Sequence, residues 1–281
     1  MAKNISHTQI LDIMIEATLG AGKIIMDIYQ HSFVPTTKSD GTPVTIADQK
    51  AEALILSCLE KTGLPVLAEE SVAAGKIPES GHKYFIVDPL DGTKEFIKRN
   101  GQFTVNIALI ENGTPTLGIV SVPASGQLFI GTKEGAFEYE TRENRLGEKR
   151  PICVATNNAP KAVASLSHRH QHIEALCKAL NIEQTLSVGS SLKFCMIARG
   201  DAQIYPRFSP TCEWDTAAGQ AVLQAAGGVV LKLDGSPISY GRGNKKFINP
   251  AFIAAANLQI AKSAIEEMNR LCSDSSFKKF I

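Results

Sequence analysis

The sequence predicts a mixed α and β protein in two parts, helices and antiparallel sheet over residues 1–150 and alternating strands and helices over 151–281. Three observations carry this reading. Apolar residues recur at helical spacing in the first sixty positions, four strand-like runs follow one another between Phe103 and Tyr139, and strand and helix patterns alternate beyond Arg150. At 281 residues and 44% hydrophobic content, the chain can bury a large core in one domain or in two closely packed ones.

Ile10, Ile13, Met14, Ala17, Ile24, Ile25 and Ile28 mark the apolar face of a helix over the first thirty residues. SDGTP around Asp40 reads as a turn. A second helix runs from about Val44 to Lys61 and ends at Gly63. Thr45 and Asp48 fit a capping box at its start, which by itself gives Asp48 a purely structural task. PVLA then reads as a short strand ending at Glu69 and Glu70, a pair that taken alone is an ordinary solvated acidic pair. YFIV reads as a buried strand with Asp88 at its carboxyl end, and KEFIK as a short helix. FTVNIALI, LGIVSV, LFIG and AFEY are successive strands, the first two joined by the hairpin signal Asn112-Gly113. The charged run from Thr141 to Arg150 reads as a solvated linker. Later, Glu213-Trp214-Asp215 opens a buried helix, TAAGQAVLQAAGG, closed by glycines, where Asp215 alone would be an N-cap.

The stretch DPLDGT, Asp88 to Thr93, is the most informative. Pro89 fixes φ and Gly92 permits a tight path, so the Asp88 and Asp91 carboxylates can converge while the Leu90 carbonyl turns inward. Three hard oxygen donors on one turn suit Mg²⁺. The free N–H groups of a helix starting at Gly92 and Thr93 suit a phosphate. An Asp-Pro turn with a helix cap explains the stretch alone equally simply. If Glu69, Asp215 and these acids share one cleft, their repulsion is relieved by divalent cations, which also admit a phosphate dianion.

The net charge of +1 gives no general attraction to nucleic acid. The six cysteines, at 58, 153, 177, 195, 212 and 272, lack paired spacing and read as reduced core residues of a cytosolic protein. ILDIMIEATL is interrupted by Asp12 and Glu16, and no apolar run reaches membrane-spanning length, so neither a signal peptide nor stable membrane insertion is expected. The tail SDSSFKKFI is basic, suited to solvent or to the inner membrane face.

LAEES, DPLDGT and WDTAAG, in this order and spacing, resemble the lithium-sensitive, magnesium-dependent phosphatase superfamily that includes inositol monophosphatase and fructose-1,6-bisphosphatase, over nearly the whole chain. GSSLKFCMIARGDAQIYPRF and PTCEWDTAAGQAV are most similar to its 3'(2'),5'-bisphosphate nucleotidases. The resemblance implies an αβαβα layered sandwich. It implies one Mg²⁺ on Glu69, Asp88 and the Leu90 carbonyl, a second on Asp88, Asp91 and Asp215, and room for a third. It gives Glu69, or Thr93 oriented by Asp48, the task of activating a water. Asp91, Gly92, Thr93 and Asp215 would meet the scissile phosphate.

Ser190 and Lys193 lie three apart, a spacing that puts them on one helical face, and with Gly189 and Arg207 they would grip a second phosphate. Each cation alone is otherwise a surface charge. Ser167 and His168 of SHRH would lie along the nucleoside. The expected reaction is hydrolysis of the 3'-phosphate of adenosine 3',5'-bisphosphate and of its sulfated form in sulfur assimilation, by a cytoplasmic monomer or homodimer inhibited by Li⁺ and Ca²⁺. An inositol monophosphatase, or a metal or phospholigand sensor without turnover, remains open on these residues.

Overall fold

The computed structural model describes residues 5–37, 41, 43–79, 81–156, 160–165, 171–241 and 247–273. The first helix, α1 (His7–Tyr29), starts at a Ser6/Gln9 capping box and buries Ile10, Met14, Ala17 and Ile25. Two short strands, β1 (Thr36–Thr37) and β2 (Pro43–Val44), pair antiparallel around the expected turn, whose Asp40 lies outside the described residues. The second helix, α2 (Ile46–Leu59), begins at the predicted Thr45/Asp48 box, and a short 3-10 turn then ends at Gly63 in the left-handed region.

A seven-stranded sheet follows in chain order: β3 (Val66–Ala68), β4 (Lys83–Asp91), β5 (Thr104–Glu111), β6 (Thr114–Val122), β7 (Gln127–Thr132), β8 (Gly135–Arg142) and β9 (Arg145–Ile152). Only β3 and β4 run parallel. Two five-residue helices, α3 (Glu69–Ala73) and α4 (Thr93–Ile97), flank β4 in sequence. Asn112 and Gly113 make the predicted tight turn, both at positive φ.

The stretch from Thr141 to Arg150 is not a linker. Glu143 and Asn144, at φ 48° and 61°, form a second two-residue turn, and β9 pairs with β8 as the last strand of the sheet. Its charges sit on an exposed edge strand, where they discourage pairing with another chain. An edge strand is as wet as a loop, which is why composition did not separate them.

Beyond β9 come β10 (Lys161–Ala164), α5 (Gln171–Ala179), β11 (Gln184–Ser187), α6 (Leu192–Ala198), β12 (Ile204–Arg207), β13 (Thr211–Cys212), α7 (Ala217–Ala225), β14 (Val229–Lys232), β15 (Ile248–Asn249), β16 (Phe252–Ala255) and α8 (Leu258–Ser273). The second sheet has the order β11-β10-β12-β16-β14, and β13 pairs with β15.

Strand alternation sorts side chains into separate cores. Phe85, Val87, Val105, Ile107, Leu109, Ile119 and Ile130 meet α1 and α2 on one face of the large sheet. Tyr84, Ile86, Ala108, Ile110, Val120 and Phe129 meet α6 and α7 on the other. Tyr205, Phe252 and Ala254 of the second sheet join that middle core, while Ile204, Ile253 and Ala255 face α5 and α8. The layers are therefore helix, sheet, helix, sheet, helix, as the resemblance implied. α7 approaches the large sheet closely because a Cβ on Gly118 would lie 2.5 Å from the Ala218 carbonyl oxygen, and one on Gly131 2.6 Å from that of Ala221.

Among the described residues no helix is long and apolar enough to cross a membrane. All six cysteines are free; Cys153 is exposed rather than in the core.

Candidate active site

Period-two alternation alone would put Asp88 and Asp91, three residues apart, on opposite faces of β4. The ladder with β5 shows how they come together. Asp88 pairs with Asn106 and Asp91 with Thr104, so three steps on β4 oppose two on β5, and the extra residue of this bulge restores the face. β4 thus continues through DPLD instead of leaving the sheet at Asp88. Both carboxylates point with Tyr84 and Ile86 toward α7, at whose start Asp215 sits in the 3-10 turn Glu213–Asp215. One carboxylate oxygen each from Asp88, Asp91 and Asp215 lies within 4.8 Å of the others.

Burial, then the charges of Glu69, Asp91 and Asp215, raise the Asp88 pKa well above its ordinary value. Burial, then Asp91 and Glu69, pushes Asp215 up to about 8. Asp91 is raised by burial to about 6, held back by Lys193 and the Ser191 N–H. Three hard oxygens that resist ionising together fit a hard divalent cation. Glu69, half-buried at the start of α3, lies outside the 4.8 Å group, but its charge raises all three. Thr93 places its hydroxyl 3.4 Å from the Leu90 carbonyl, which faces this side of the turn.

Asp48 does both things the sequence left open. Its Oδ2 accepts the Thr45 N–H at 2.8 Å and the Thr45 hydroxyl at 2.7 Å, and its Oδ1 accepts the Thr93 hydroxyl at 3.1 Å. Gly92, at φ 92°, precedes α4 in a conformation that a side chain would strain, and a Cβ there would displace the Ser190 hydroxyl.

The segment Gly189 to Ser191 departs from expectation. Ser190 has φ 54° and precedes α6, so it does not share a helical face with Lys193, and its hydroxyl lies 2.9 Å from two backbone acceptors, Asp91 O and Gln102 O. The Gly189 N–H donates to Gln102 Oε1 at 2.7 Å. Ser190 thus ties its hydroxyl to Asp91 and Gln102 and Gly189 its N–H to Gln102, while both residues still line the cavity beside Lys193 and Arg207. Ser191, unremarked in the sequence, holds Asp91: its N–H donates to Asp91 Oδ2 at 2.7 Å, and its hydroxyl contacts Asn106 Oδ1 at 2.6 Å and the Thr104 hydroxyl at 2.9 Å. These partners lie 85 to 100 residues apart, so no local pattern announces them.

Lys193 is buried beside the acids, where burial lowers its pKa to about 8 against the pull of Asp91. Its ammonium donates to the Ser190 carbonyl at 2.5 Å. Arg207 donates to the Ser209 carbonyl at 3.2 Å. Both cations line a cavity of about 140 Å³ with Asp91, Gly92, Asp215 and Thr211. Ser167 and His168 lie outside the described residues.

The chain is 42% identical over 246 residues to the 3'(2'),5'-bisphosphate nucleotidase CysQ of Escherichia coli (strain K12), covering 86% of this chain and 98% of that one. It is 40% identical over 253 residues to that of Buchnera aphidicola, covering 88% and 94%. The crystal structure of CysQ from Bacteroides thetaiotaomicron matches with a TM-score of 0.72 and 38% identity over 88% of this chain and 97% of that one. Thermotoga maritima IMPase shares the fold at a TM-score of 0.74 and 23% identity, covering 92% and 96%. The family model described as the inositol monophosphatase family matches residues 6–273, and with that span and these relatives the chain belongs to the inositol monophosphatase family.

Proposed function

We propose that the protein is a Mg²⁺-dependent 3'(2'),5'-bisphosphate nucleotidase that hydrolyses the 3'-phosphate of adenosine 3',5'-bisphosphate to AMP, and that of its 5'-phosphosulfate analogue likewise, serving sulfur assimilation. The observation that carries it is a three-carboxylate cluster two of whose members, Asp91 and Asp215, line one cavity with the cations Lys193 and Arg207. The acids suit divalent metal, which would in turn admit the scissile phosphate; the cations suit a second phosphate that an inositol monophosphate lacks. The 42% identity to a curated 3'(2'),5'-bisphosphate nucleotidase supports the same reading.

Asp88, Asp91 and Asp215, with Glu69 and the Leu90 carbonyl, would hold the divalent cations. When bound, such cations supply charge neutralisation at the phosphate and a more acidic attacking water. The rest falls to the chain. The Thr93 hydroxyl donates its hydrogen bond to Asp48 Oδ1, so its lone pairs would face a water, and Glu69 is the carboxylate that would take that water's proton. Lys193, with one of its three protons spent on Ser190, has two left for a phosphate. Arg207 adds a planar guanidinium, and together they fix the nucleotide so that its 3'-phosphate meets Gly92 and Thr93.

The test is phosphate release with Mg²⁺ from adenosine 3',5'-bisphosphate, its phosphosulfate analogue, AMP and inositol 1-phosphate. The bisphosphates should turn over with kcat/KM at least ~100-fold above the monophosphates, as a lost charge-assisted contact pair predicts. Preference for inositol 1-phosphate would favour the monophosphatase, and binding without Mg²⁺-stimulated release would favour the sensor.

A further inference from the structure

Glu52 takes no part in the chemistry above, yet it is a carboxylate only 5% exposed. Burying an acid is costly unless it is well bonded. Its Oε2 accepts the Glu70 N–H at 2.8 Å and its Oε1 accepts the Ser71 hydroxyl at 2.6 Å. Both donors belong to the first turn of α3, a helix of five residues whose N-cap position holds Ala68 and has no side-chain cap bond. The opening N–H groups of a helix find no partner within it. Glu52 therefore caps α3 from α2.

The helix it caps begins at Glu69. One turn earlier on α2, Asp48 holds the Thr93 hydroxyl of DPLDGT. Positions four apart share a helix face, so one face of α2 grips two of the three acidic segments around the site. A serine at 68 would cap α3 locally without a second negative charge. The charges of Glu52 and Glu69 repel, and a cap carried by α2 gains what a local cap lacks, a fixed position of α3 relative to Thr93.

We propose that Glu52 is a positioning residue for the metal site, setting the place of Glu69 through the Glu70 N–H and the Ser71 hydroxyl. The inference rests on Glu69 being a metal ligand.

Mg²⁺ affinity measured by calorimetry on the purified full-length protein tests it, alongside melting without metal. Glu52→Ala should weaken binding ~10-fold, as loss of a partner behind a ligand does. Glu52→Gln, which keeps an acceptor for the Glu70 N–H, should bind nearly as the parent does. Ser71→Ala, which removes one of the two contacts, should show a smaller weakening and serves if Glu52→Ala does not fold. Met268→Ala, in the buried face of α8, should lower the melting temperature and leave Mg²⁺ affinity unchanged. Parent-like affinity in Glu52→Ala, or in Ser71→Ala should Glu52→Ala not fold, overturns the inference if Glu69→Gln weakens binding. Equal weakening in Glu52→Gln and Glu52→Ala also overturns it, because charge and not placement would then be at work. If Glu69→Gln binds as the parent does, the ligand assignment falls and the inference falls with it.

Discussion

In the proposed nucleotidase, Lys193 is the side chain through which substrate choice would be set. An ammonium held in the interior beside Asp91 has lost most of its water, so a dianionic group reaching it gains more than it would at the surface. Lys193→Met keeps the stem and deletes the charge. KM for adenosine 3',5'-bisphosphate should rise ~10- to 100-fold, the worth of a charge-assisted bond, while KM for a monophosphate stays within a factor of ~3. Steady-state kinetics on both substrates check this, and equal changes in the two would remove Lys193 from the second-phosphate site. The sequence exposed the acids because DPLDGT puts two of them three residues apart, and WDTAAG places the third just before a helix. It could not show which way a hydroxyl turns. Ser190 and Ser191 are adjacent and chemically alike, yet the hydroxyl of one reaches the Asp91 and Gln102 carbonyls, while that of the other meets Asn106 and Thr104 on β5 and leaves its N–H to the Asp91 carboxylate.

Among elements, α7 has the tightest constraint. Its Ala217, Ala218 and Ala221 let it lie on glycines of β6 and β7, and Asp215 is two residues before its first turn. Gly131→Ala would press a Cβ against the Ala221 carbonyl oxygen and Val222 Cα, each at 2.6 Å, and backbone cannot swing aside. Overpacking of this kind costs ~1–3 kcal/mol, expected as a lower urea midpoint with unchanged slope; an unchanged midpoint would mean that α7 can retreat without cost. The small residues of TAAGQAV made this helix legible as buried, and period-two alternation made four strands legible. The β8–β9 hairpin was missed because charges mask alternation where both faces are wet. The bulge at Asp88 was missed because an extra residue in a ladder is visible only against its partner strand.

The molecule as a whole carries an electrostatic cost that metal can relieve. Asp88, Asp91 and Asp215 all have raised pKa values in the fold, Asp91 to about 6 and Asp215 to about 8, so between roughly pH 4 and 8 the folded chain holds more protons than the unfolded one. Stability of the metal-free protein should therefore fall as pH rises through that window. Lys193, lowered to about 8, acts in the opposite sense, but only above that pH. Thermal melts in chelator at pH 5, 6, 7 and 8 should show declining midpoints, and saturating Mg²⁺ should raise the midpoint more at pH 8 than at pH 5; a flat profile in chelator would argue that the acids do not repel as their burial implies. The order of the layers has a further consequence during synthesis. The inner face of the large sheet is finished at Ile152, but α6 and α7, which cover it, end at Ala198 and Ala225. For some seventy residues of translation the growing polypeptide thus carries an apolar sheet surface whose cover is absent or incomplete, a natural point of engagement for a chaperone.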